Sequence, residues 1–166
     1  KIQNRITRLA SGVAVLQVGG ATEVEVEEKK HRFEDALEAV RSAQEEGIVP
    51  GGGTSLIRAA TLLEPREFAS RGELLGYQTL VSSCYAPMKQ ILNNAALSSD
   101  IIISSLATDE NQSVGFNVRT ETFENLIETG VIDPVKVTKS ALTNAASSAG
   151  ALITTNCSVL RVETSD

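Results

Sequence analysis

The chain is expected to be mainly α-helical with small β-ribbons, an α+β fold, and three observations carry that expectation. Apolar residues recur at helical spacing over most of the length, short β-rich runs stand beside glycines, and glycine or proline marks most changes of pattern. With 166 residues, 42% of them hydrophobic and 22% charged, the chain is long enough to bury a core and has a globular composition.

Ile2, Ile6 and Leu9 keep helical spacing up to Gly12, so the opening reads as the last turns of an amphipathic helix. It begins on Lys1 in mid-pattern, as a piece of a longer protein would. VAVLQVGGATEVEVEE follows, with Val24 and Val26 alternating against Glu23, Glu25 and Glu27, and predicts a two-stranded ribbon around Gly19 and Gly20. EKKHRFEDALEAVRSAQEEG sets Phe33, Leu37, Val40 and Ala43 or Gln44 on one helix face and stops at Gly47.

TSLIRAATLL predicts a helix ending before Pro65, and Pro87 kinks or splits the long apolar pattern from Glu73 to Leu97. SDIIISSLA is a further short element, and VGFNVRTETFENLIETG a β-hairpin running into a helical turn. Asp133 is expected at an N-cap with Pro134 at the first helical position. Ala141, Ala145, Ala146 and Ala149 in that helix would let another helix approach closely, and ITTNCSVLRVE predicts an edge strand. Composition shifts at Gly12 and Gly47 mark candidate domain joints.

A net charge of −6 without a basic cluster argues against a nucleic-acid partner. No apolar run approaches the roughly 20 residues that cross a bilayer, so no membrane partner is expected. Cys84 and Cys157 sit in apolar stretches without metal-ligand spacing, and read as reduced core residues; no metal ligand is assigned in this chain. The single histidine, His31, lies on a charged helix face, which leaves no Ser/His/Asp constellation to argue.

GIVPGGGTSLIRAA leaves two readings open. Gly51, Gly52 and Gly53 before a helix start suit either an anion-binding loop or a turn with close backbone packing. A Walker A loop would end in Lys and Ser or Thr, and no lysine stands here. By pattern alone Asp35 is a solvated carboxylate and Asn117 a turn residue.

SGVAVLQVGGATEVEVEEKKHRFEDALEAVRSAQEEGIVPGGG resembles group I chaperonins, the GroEL-type ATP-driven folding machines, and the likeness resumes at GFNVRTETFENLIETGVIDPVKVTKSALTNAASSAGALITT. The resemblance implies three parts of a subunit: residues 1–12 ending the apical domain, 13–46 the returning half of the intermediate domain, and 47–166 the C-terminal half of the helical equatorial ATPase domain. Gly12 and Gly47 then fall at the two hinges. Asp35 matches the carboxylate that assists attack of water on the γ-phosphate, a role that needs an acceptor holding water in line. Gly52 matches a backbone wall against the nucleotide's sugar and base, and Asp133 the acid that hydrogen-bonds the ribose.

Asn117, Val118 and Arg119 align with a segment lining the adenine. Val118 and Arg119 are larger than the family's residues there, and Arg119 could crowd the base, stack on it or point to solvent. Ala96 replaces a glycine, and no Gly-Met-rich tail follows Asp166; both fit a diverged paralogue or a shortened chain. The phosphate loop and magnesium ligands of the family lie outside this chain, so ATP or ADP with Mg²⁺ and K⁺ is expected only in the intact subunit. The fragment alone is expected to be inactive.

The same likeness implies a homo-oligomer, a double heptameric ring that encloses unfolded client proteins under a GroES-type lid co-chaperonin. It implies the cytoplasm in a bacterium, or the mitochondrial or plastid matrix in a eukaryote. The alternative is a diverged structural or interaction protein that keeps the fold and has lost the ATPase cycle.

Overall fold

The computed structural model describes residues 14–63, 66–109 and 111–159. The chain divides into two units, Lys1–Glu38 and Ala39–Asp166. The predicted opening helix, Gly12 and the last residues of the predicted C-terminal strand lie outside the described residues.

In the first unit, residues 14–20 form no regular structure, and helix α1 (Glu23–Glu46) begins where a second ribbon strand was expected. A capping box wins over the Val-Glu alternation. Thr22 Oγ1 accepts from the Glu25 N–H at 3.2 Å, while the Glu25 carboxylate reaches back to the Ala21 N–H at 2.8 Å. Glutamates one turn ahead of bases then support the helix, with Glu25–Lys29 at 2.6 Å, Glu27–His31 at 3.2 Å and Glu28–Arg32 at 2.5 Å. Lys29 and then the Ala21 N–H hold the Glu25 carboxyl below its ordinary range. Phe33 and Leu37, on the expected apolar face, are about half exposed.

The rest of α1 belongs to the second unit and ends as expected at Gly47. This glycine takes φ +87° and donates its N–H to the Ala43 carbonyl at 2.8 Å, a left-handed C-terminal cap that a Cβ would strain. Strand β1 (Ile48–Pro50) follows, then the glycine turn and helix α2 (Thr54–Thr61). Helix α3 (Arg71–Cys84) starts on a second capping box, with Ser70 accepting from the Glu73 N–H at 3.2 Å. Pro87 splits the long pattern: α3 stops, Tyr85 forms the joint, and helix α4 (Ala86–Asn94) carries the proline in its first turn, where no intrahelical N–H is lost.

Helix α5 (Ser99–Thr108) leads to a hairpin of β2 (Val114–Asn117) and β3 (Thr122–Asn125), paired with Phe116 opposite Phe123. Their rings meet edge-on at 5.1 Å. Strand β4 (Ile132–Pro134) pairs antiparallel with β1, and helix α6 (Val135–Ile153) closes the regular structure. The core gathers Ile57 from α2, Met88 and Leu92 from α4, Ile103 and Leu106 from α5, and Phe116 from β2. Burial of this apolar surface is the main favourable term holding the unit together. Among the described residues no helix is long and apolar enough to cross a membrane.

Four further expectations need correction. Asp133 is not an N-cap: the chain stays extended through Pro134, which occupies the cap position, because Val135 donates its N–H to the Gly47 carbonyl at 3.1 Å and so prolongs the β1–β4 ladder. The alanine stripe of α6 is exposed rather than covered by a helix, and Cys157 is exposed while Cys84 is buried. Residues 154–159 form no strand, since an isolated strand leaves its backbone groups unpaired.

Candidate functional site

The β1–β4 ribbon holds Asp133, and Gly52 follows two residues after its β1 strand. Val49 stands opposite Asp133 and Pro50 opposite Ile132, and the Gly51 N–H extends the pairing to the Val131 carbonyl at 2.9 Å. Gly52 therefore turns away just past the end of a ladder that holds Asp133. A Cβ on Gly51 would lie 3.1 Å from the Val131 carbonyl oxygen, so the two chains run as close as glycine permits.

Gly52 and Gly53 both adopt left-handed φ, +66° and +80°, but their surroundings differ. Space beside Gly52 is open, whereas a Cβ on Gly53 would meet the Met88 backbone nitrogen at 3.0 Å. Gly53 is thus a packing glycine, and Gly52 presents bare backbone to its surroundings. Close backbone packing, one of the two readings of the glycine loop, is met at Gly51 and Gly53.

Asp133 is half-buried, and burial pushes its carboxyl above the ordinary aspartate range. Its side chain has no hydrogen-bond partner among the described residues. A partly desolvated carboxylate without a donor is suited to receive hydroxyl donors from a ligand.

Asn117, Val118 and Arg119 form the end of β2 and the start of the hairpin loop. The Asn117 amide donates to Glu124 at 2.6 Å, and its oxygen accepts from the Arg119 N–H at 2.9 Å, so both ends of the side chain shape the turn. Val118 packs on the core, and the Arg119 side chain is exposed. The hairpin returns to β4 through a Val131 N–H to Leu126 carbonyl bond of 2.8 Å, which connects its frame to the Asp133 ribbon. Asp35 belongs to the other unit, where it is exposed on α1 and makes no hydrogen bond or ion pair among the described residues.

Sequence reading missed two groups around this frame. Arg58, 8% exposed on α2, donates to the carbonyls of Leu106, Asp109, Asn111 and Val114. The signal was a charged residue beside Ile57 on the apolar face of LIRAA. Lys136 and Lys139, in the first turns of α6, pair with Glu45 and Glu46 at the end of α1, the latter at 2.9 Å. Their sequence separation left no local pattern to read.

The bare backbone at Gly52 leaves room for a ligand surface, and the Asp133 carboxylate on the adjoining ribbon keeps acceptor capacity for hydroxyl donors, chemistry that would suit the sugar end of a nucleotide. The family model of the TCP-1/cpn60 chaperonin family matches residues 3–162, and the chain belongs to this family. A solved structure of a group III chaperonin in the open state superposes with a TM-score of 0.72 at 24% identity, over 86% of this chain. That likeness is one of fold. The chain spans 30% of the length of that structure.

Proposed function

We propose that this chain is the C-terminal part of a group I, ATP-dependent chaperonin subunit, which encloses unfolded polypeptides in a ring chamber and drives its domain motions by ATP hydrolysis. The observation that carries this reading is the half-buried Asp133 carboxylate on β4 without a donor, held by pairing with β1, the strand that leads into the open backbone at Gly52, in a chain of the chaperonin family. Asp133 would accept the ribose hydroxyls and Gly52 would line the sugar and base. Bound ATP would supply the phosphoryl group whose hydrolysis drives the cycle; its phosphates, Mg²⁺ and K⁺ would be held by segments beyond this chain. Asp35 would orient the attacking water, and Gly47, at its left-handed cap, would serve as the hinge.

On this reading the subunits form a double heptameric ring that works with a lid co-chaperonin on unfolded clients, in a bacterial cytoplasm or an organelle matrix. The test uses the complete subunit. ADP should bind in calorimetric titration, and Asp35→Ala should keep that affinity while steady-state ATP turnover falls by about a hundredfold or more. Unchanged turnover refutes the role of Asp35. The second reading, a diverged scaffold without the ATPase cycle, is favoured by the Asn117 amide being used within its own hairpin. Absence of ADP binding by the complete subunit selects it.

A further inference from the structure

We propose that Arg58 is a positioning residue that sets the Gly52 loop against the hairpin carrying Asn117–Arg119 and so controls nucleotide affinity; this rests on the nucleotide-binding reading above. Arg58 lies one turn into α2, the helix that starts directly after Gly53. One guanidinium nitrogen donates to the Leu106 carbonyl at 2.6 Å and to that of Asp109; the other donates to Asn111 at 2.9 Å and Val114 at 3.1 Å. Val114 is the first residue of β2, and Asn117 is its last. A single side chain thus ties the helix of the glycine loop to the strand that presents the adenine-side residues.

The chemistry suits arginine in particular. The last carbonyls of α5 are short of donors, Leu106 receiving one from the Asp109 N–H at 3.3 Å, and a cation there also complements the helix dipole. A guanidinium holds its donors in a rigid planar fork, whereas a lysine ammonium offers three donors from one point and cannot span four carbonyls. The spacing that Arg58 sets is tight. A Cβ on Gly115, the second residue of β2, would lie 2.7 Å from Thr54 Oγ1 at the start of α2. Slackening the fork would let β2 move away from α2, and with it the hairpin tip from the Gly52 loop.

The experiment titrates ADP into the complete subunit, as wild type and as Arg58→Lys, with Leu92→Ala as a control. Leu92 is buried in the same core but lies on α4, so its truncation loosens packing while the Arg58 fork remains. Arg58→Lys should weaken ADP binding by about tenfold, the scale on which small misplacements are felt at a binding site, while Leu92→Ala lowers the unfolding midpoint and leaves affinity within about twofold. A second measurement needs no variant: in the wild type, ADP should slow amide exchange severalfold at Ser113 and Val114, where the loop that Arg58 grips enters β2.

Arg58→Lys binding ADP within about twofold of wild type overturns the proposal, as does equal weakening by Leu92→Ala. If Arg58→Lys does not fold, unchanged exchange at Ser113 and Val114 overturns it by itself. A wild type that does not bind ADP removes the nucleotide reading and this proposal together. Weakening by Gly52→Ala without weakening by Arg58→Lys removes this proposal alone.

Discussion

Two adjacent glycines should respond to the same substitution to different degrees. Gly52→Ala and Gly53→Ala both place a Cβ on left-handed backbone, at φ +66° and +80°. That conformation costs an L-residue about 1–2 kcal/mol, offset by about 0.5–1 kcal/mol because alanine leaves the unfolded chain less freedom to lose. Gly52 has open space beside it, so its net cost should stay near 1 kcal/mol. At Gly53 the new Cβ meets the Met88 nitrogen at 3.0 Å and the Met88 Cβ at 3.2 Å, and Met88 is 2% exposed on a packed helix. Relieving that contact requires a backbone shift, which adds about 1–3 kcal/mol.

Urea unfolding of both variants followed by circular dichroism should therefore place Gly53→Ala well below Gly52→Ala in midpoint at equal slope. ADP affinity of the complete subunit should fall for Gly52→Ala, because the new methyl occupies the surface assigned to the sugar and base. Equal midpoints, or a larger stability loss at Gly52, would refute the division of the loop into a packing glycine and a binding glycine.

Two further outcomes follow from the backbone and from burial. Ala96 takes φ +57° after α4, in a cap where the Leu97 N–H returns to the Leu92 carbonyl at 3.0 Å, so Ala96→Gly should raise stability by about 1 kcal/mol, read as a higher urea midpoint. Asp133 has a folded-state pKa raised by burial, so the folded state holds its proton to higher pH than the unfolded chain does, and its contribution to stability falls as pH rises from the ordinary aspartate range through the raised value. Asp133→Asn should accordingly be more stable than wild type at pH 7, with the gain shrinking towards pH 3, and a pH-independent difference would contradict that origin.

The Asp133 case separates what local pattern can and cannot tell. Asp-Pro ahead of an apolar helix is an N-cap signal, and the helix does begin within two residues of it. Only the approach of Gly47 and Val49 from a distant part of the chain made Asp133 a strand residue, since pairing with β1 satisfies backbone groups that a cap would leave to one side chain. At Thr22 the deciding signal is local. The capping box stands in TEVE, and its hydrogen bonds outweigh the strand-like alternation of Val24 and Val26.

Local chemistry by itself determined the helices that carry caps and breakers: the stop at Gly47, the split at Pro87, the start after Gly53 and the hairpin around Val118–Glu121. These follow from φ limits and missing N–H groups within a few residues, which any tertiary arrangement must obey. Long ordered likeness identified the family and nominated Gly52, Asp133 and Asp35. Tertiary structure alone decided that Gly52 is open while Gly53 is packed, that Asp133 is half-buried without a donor, and that Arg58 serves four carbonyls. Each depends on which distant backbone comes within a few ångströms, and that is set by the packing of the whole unit, which short-range spacing does not encode.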